Sequence, residues 1–234
     1  MSEDLSNSLA KSISQETMAC MGDLLEVGLD SIMTDDLFRD IPIISTAISI
    51  YKIGYTIKER HYVKKLVHFI DEVNQKTASD ETREKYKAKL HSDTRRRNQE
   101  IEYIMILIDR YISFQNTRML ARLYVSFFDG KINWTQLTMY AEVIDHLLPG
   151  DYNTLQSKDY FIVIGGENGE SIIRLVSMGL ITEYDNRGGL FEDWGDGGIA
   201  VTSASMDQFQ RGEKHYHRTV FGDLMVSVIG PMDM

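Results

Sequence analysis

Residues 41–51 (IPIISTAISIY) carry no charge, and after Lys52 the apolar character resumes through Ile57 before the chain turns into KERHYVKK. A run of about 10 to 14 apolar residues suits a protein core, whereas crossing a bilayer takes about 20. Residues 41–57 fall between those limits, with one lysine inside. Two expectations follow. Either the run is a core helix whose stripe of Ile44, Ile48, Tyr51 and Tyr55 also forms an oligomer seam, or it leaves its bundle and inserts in a membrane. In the second case the Lys58 to Lys65 segment would anchor at the headgroups. Lys52 weighs against insertion, although a lysine can snorkel.

The chain has 234 residues, 43% hydrophobic and 26% charged, enough to bury a sizeable core in one large or two small domains; two are expected. The net charge of −10 is unevenly spread. Residues 1–50 hold two basic and nine acidic groups, residues 51–150 seventeen and thirteen, and residues 151–234 six and thirteen. Acidic ends repel phosphate, so nucleic acid is an unfavoured partner. The start, MSEDLSNSLAK, lacks the basic and apolar segments of an export signal. The lone Cys20 has no internal disulfide partner and reads as a small buried hydrophobe. A cytoplasmic location in a bacterial-like cell is expected, with membrane association open through residues 41–57.

Apolar residues recur irregularly at helical spacing from Leu5 to Met33, and Pro42 suits the first turn of a new helix. Val63, Leu66, Val67 and Ile70 continue the pattern in a second helix or an extension of the first. Residues 75–100 are polar and charge-dense, an exposed helical excursion. IEYIMILIDRYISF is apolar nearly all round, which places it at the bundle centre. MLARLYVSFF follows as a helix after Asn116 and Thr117. Asn133 and Gln136 approximate a capping box for a helix that Pro149 and Gly150 end.

Twelve of the seventeen glycines lie beyond Asp151, which marks a boundary between an α-helical bundle (1–150) and a small α+β domain (151–234). ESIIRLVSMGLITEY reads as helix, Gly179 stop and strand, and YHRTVFGDLMVSVI as a strand entering a last helix. Helix, strand, glycine-rich hairpin, strand is a winged-helix-like order, and MGLI and RTVFGDL look like its junctions.

Each motif has a plain alternative. FIVIGGENGES has the strand, loop and helix context of a phosphate loop, but it holds no Lys or Arg, and Glu167 and Glu170 repel an anion. His215 and His217 share a strand face, yet two ligands rarely hold a metal, so a solvated face is expected. The acidic loop DNRGGLFEDWGDGG lacks calcium-loop spacing. It reads as a wing hairpin whose Phe191 and Trp194 cover the core or present a partner-binding surface. Arg95, Arg96 and Arg97 form a basic run that could meet acidic lipid headgroups, nucleic acid or an acidic partner, but Glu81, Glu84 and Asp93 dilute it and a solvated helix face is the default. Ser171 lacks a nucleophile elbow, and Cys20 lacks a basic neighbour. No catalytic, cofactor or metal site is therefore expected.

The IPIIST segment, KKLVHFIDE, RMLARLYVSFFDGKI and MYAEVIDHLLPGDYNTL, in this order over residues 38–156, resemble a poorly characterised bacterial family. The resemblance implies a bacterial or prophage origin and an association with mobile elements or phage defence. The expected function is non-enzymatic protein–protein interaction or assembly, with a protein partner or a second copy of the chain. A membrane-acting effector is the alternative. A DNA-binding regulator using Ser171 to Met178 ranks third, since Arg174 is that helix's only base.

Overall fold

A computed structural model describes residues 2–13, 40–51, 56–76, 81, 84, 88, 94–148, 150–163, 169–184, 191–194, 198–201 and 214–232. The chain is mostly helical with a small antiparallel sheet, and it divides into two compact units, Met1–Asp145 and His146–Met234.

The first unit holds α1 (Ser2–Ser12), α2 (Pro42–Tyr51), α3 (Ile57–Lys76), α4 (Thr94–Arg110) and α5 (Phe114–Phe128), and nearly all of α6 (Trp134–His146). Helix α3 packs on α5, and α1 on both α2 and α4. Their apolar stripes bury Leu9, Ile44, Leu66, Ile70, Leu107 and Leu120. Each such side chain contributes roughly 1.5–3 kcal/mol on leaving water. Pro42 opens α2, where its missing N–H has no helical partner to lose. Helix α6 starts on the expected reciprocal box. Asn133 N–H donates to Gln136 Oε1 and Gln136 N–H to Asn133 Oδ1, both at 2.9 Å.

The apolar stretch 41–57 is not one helix. Helix α2 ends at Tyr51, and α3 starts at Ile57 behind a capping box of its own. Thr56 N–H donates to Glu59 Oε2 at 3.0 Å, and Glu59 N–H donates to Thr56 Oγ1 at 3.3 Å. Among the described residues no helix is long and apolar enough to cross a membrane.

The stretch 101–114 also departs from expectation. Helix α4 ends at Arg110, and Ser113 caps α5 by accepting from Gln115 N–H at 3.0 Å. Lys65 Nζ reaches across from α3 and donates to the carbonyls of Asp109 (2.9 Å) and Tyr111 (2.6 Å), satisfying acceptors that the end of α4 leaves open. Nor is α4 surrounded on all sides: Leu107 and Ile108 are buried, while Glu102, Ile106, Asp109 and Arg110 form a wet stripe.

The second unit runs α7 (Asp151–Ser157), β1 (Tyr160–Val163), α8 (Gly169–Ser177), β2 (Ile181–Tyr184), β3 (Phe191–Trp194), β4 (Gly198–Val201), β5 (Lys214–Arg218) and α9 (Val220–Ile229). Strand β5 lies between β1 and β2, antiparallel to both, while β3 and β4 pair separately. Phe161, Ile181 and Tyr216 occupy the buried face of the sheet, and Leu175 of α8 and Met225 of α9 are buried as well. Gly179 takes a left-handed φ of 72° just after α8. Thr219 caps α9, its Oγ1 accepting from Gly222 N–H at 3.0 Å. A Cβ on Gly222 would lie 2.1 Å from the Leu180 carbonyl oxygen, so only glycine lets α9 pass β2 this closely.

Candidate functional site

Helix α8 is amphipathic. Ile172 and Leu175 are buried, while Ile173 is 66% exposed, Val176 37% and the Glu170 side chain 95%. Its one base faces inward. Arg174 donates from Nε to Asp151 Oδ2 (3.0 Å) and from Nη2 to Asp151 Oδ1 (2.7 Å), and Ser171 Oγ donates to Asp151 Oδ1 (2.6 Å). Asp151 is fully buried at the start of α7. Burial alone would raise its carboxyl pKa, but the bonds from Arg174, Ser171 and the Leu148 N–H outweigh it and hold the group below the usual carboxylate range. The cluster ties α7 to α8 through one buried carboxylate.

Beside this tie a cleft of about 620 Å³ opens between β1, the end of α7 and α8. Phe161, Val163 and Ile172 give it apolar walls, with Lys158 and Glu170 among the lining residues. Residues 164–168, the glycine-rich part of FIVIGGENGES, lie outside the described residues.

The open face of the sheet carries the two histidines. His215 and His217 alternate on β5, and the register sets Tyr160 and Ile162 of β1 and Thr182 and Tyr184 of β2 on the same face. The face is solvent-exposed as expected at His217, Tyr160, Ile162, Thr182 and Tyr184, it is rich in aromatic rings, and His215 is the exception. His215 is buried, with its Nδ1 hydrogen-bonded to the Tyr160 hydroxyl, and the rings of Tyr184 and His217 lie 5.8 Å apart. Tyr160, Ile162 and Tyr184 are each about half exposed. Among the described residues no group of three His, Cys, Asp or Glu side chains is placed to hold a metal. The alternations 160/162 and 182/184 were present in the sequence, but their phase relative to 215/217 depends on a register that only the folded sheet supplies.

The residues singled out from the sequence are scattered. Ile44 is fully buried inside the first unit and Ile48 is half-buried. Tyr51 ends α2, with its side chain outside the description, and Tyr55 lies outside the described residues. Arg95 is exposed on α4, and Arg96 is in the same helix with its side chain not described. Arg97 turns inward. It pairs with Glu100 at 2.5 Å and stacks over the rings of Phe127 and Phe128, 5.6 and 5.0 Å from their centroids. The three arginines therefore do not act as one surface cluster. Phe191 and Trp194 are the first and last residues of β3, in register with Val201 and Gly198, and their side chains lie outside the description. Cys20 also lies outside the described residues.

A second cluster in the first unit escaped the sequence reading. His61 and His68 flank the Phe114 ring at centroid distances of 4.8 and 4.5 Å, with Lys64 Nζ 6.0 Å from the same ring. Burial, followed by the nearby charges of Lys64 and Arg118, lowers the His68 pKa to about 4. The i, i+3, i+7 spacing of 61, 64 and 68 on α3 was the available signal.

No family model, curated protein or solved structure matches the chain.

Proposed function

We propose that the protein is a non-enzymatic recognition and assembly protein, a helical bundle joined to a winged-helix-like unit that binds protein instead of DNA, in a bacterial or prophage setting. The observation that carries this reading is the outward side of α8. In a winged-helix reading α8 takes the place of the recognition helix, and it offers solvent Glu170, Ile173 and Val176 while Arg174 is held by Asp151. Duplex readers draw most of their affinity from lysine and arginine at phosphates. Residues 151–234 carry −7 instead. The position of β5 between β1 and β2, with the β3–β4 hairpin preceding it, supports the winged-helix reading.

A photo-crosslinking residue at position 173 tests the reading. In cells it is expected to give a discrete protein adduct that Val176→Glu removes. Sub-micromolar duplex binding by the full chain, falling steeply with added salt, would overturn the reading in favour of a regulator.

A further inference from the structure

The backbone of β1 shows what its outer edge is built to hold. Arg218 N–H donates to the Asp159 carbonyl at 2.9 Å, so Asp159 and Arg218 are a hydrogen-bonded pair of the antiparallel ladder. Such pairs alternate, so Phe161 and Val163 also turn their N–H and C=O toward β5, and Tyr160 and Ile162 turn theirs away. Among the described residues nothing pairs with that outer side.

Natural sheets blunt such edges with lysine, proline or a bulge within the strand. Strand β1 is short, reads Tyr-Phe-Ile-Val and has none of these, and a cleft lined by Phe161 and Val163 together with Lys158, Glu170 and Arg174 opens beside it. Backbone donors and acceptors that no described residue pairs with, at alternate positions, are complementary to one kind of ligand, an extended polypeptide.

Resting on the protein-binding reading above, we propose that β1 is a strand-addition site. An extended, basic segment of another protein pairs with Tyr160 and Ile162, setting alternate side chains into the cleft and against the Tyr160–Ile162 face. Charge selects the occupant. With −7 on residues 151–234, edge-to-edge pairing of two such units is repulsive, and a lysine- or arginine-bearing strand is attracted. The chain's own tight basic run, Arg95–Arg97, is helical in α4 and is not available as a strand.

The probe is a pool of blocked octapeptides in which lysine alternates with valine, isoleucine or phenylalanine, added at millimolar concentration to the full chain. Hydrogen exchange at the Tyr160 and Ile162 amides is expected to slow. Exchanging lysine for glutamate in the pool, or N-methylating alternate peptide amides, is expected to remove the effect. Ile162→Pro deletes one outward N–H without touching the ladder to β5 and is expected to weaken binding by up to roughly tenfold. The N-methylated pool repeats that deletion from the ligand side on unaltered protein. No slowing with the lysine pool, or equal slowing with the N-methylated pool, would overturn strand addition. A protein adduct at position 173 that persists in that event leaves the protein-binding function standing, whereas its loss as well removes both.

Discussion

Glu72 on α3 and Arg122 on α5 meet at 2.5 Å with side chains only 1% and 6% exposed, and Arg118 adds a second guanidinium to the same carboxylate at 2.7 Å. Burial pushes the Glu72 pKa up, but the bonds and charges of Arg118 and Arg122 outweigh it and leave it below its ordinary value. Because the folded value is depressed, the stabilisation is fully present above about pH 4.5, the unfolded value, and is lost as pH falls through the folded value.

Breaking this pair from one side strands a buried charge. Glu72→Leu alone is expected to cost roughly 3–5 kcal/mol in urea unfolding. Combining it with Arg122→Met should recover much of that loss, since a packed apolar pair avoids both desolvation penalties. A double variant as unstable as the single one would show that the pair is not an isolated tie between α3 and α5.

Acid should weaken the first unit before Glu72 titrates. His68 faces Phe114, His61, Lys64, Arg118 and Glu72, and its pKa is lowered from 6.5 to about 4. Between those values the unfolded chain binds a proton that the fold refuses, so stability falls as pH drops from about 6.5 to about 4. His68→Gln is expected to flatten that part of the stability–pH curve, read by denaturant midpoints at pH 7, 5.5 and 4.5. An unchanged slope would place the acid sensitivity elsewhere.

Gly222→Ala should be costly for a single methyl group. Its Cβ would meet the Leu180 carbonyl oxygen at 2.1 Å, and that oxygen belongs to backbone that must itself shift. We expect a loss of about 1–3 kcal/mol or more by thermal unfolding. Ser227→Ala, exposed on the same helix, serves as the near-neutral control. Comparable melting of the two variants would contradict the close approach of α9 to β2.

Membrane activity by residues 41–57 would require Ile41, Ile43, Ile44 and Ala47 to leave a core in which each is at most 2% exposed. The wild type is expected not to leak anionic vesicles, and Ile48→Asp is expected to lower its melting temperature. Leakage by folded wild type, abolished by Ile48→Asp with folding intact, would establish the membrane-acting alternative.

What was legible in the sequence was chemistry completed within a few residues. Pro42 opening α2, the Asn133–Gln136 box, the Gly179 stop and the strand entering a last helix at RTVFGDL all depend on local backbone needs. The division of 41–57 was equally local, but the apolar run masked the Thr56–Glu59 box. Arg97 could not be read this way, because the Phe127 and Phe128 rings beneath it arrive from another helix. The pairing of Arg174 was hidden for the same reason: Asp151 lies far upstream and opens a different element. The aromatic surroundings of His215 and His217 required strand order and register, which are properties of the assembled sheet.

Strand β5 separates β1 from β2, and it is the last of the three to be made. At translation rates of about 5–20 residues per second, the stretch from Tyr184 to Arg218 takes roughly 2 to 7 s to synthesise. Throughout that interval the nascent chain carries Tyr160–Val163 and Ile181–Tyr184 with no ladder between them. Any extended segment that met β1 or β2 in that interval would compete with the protein's own closing strand.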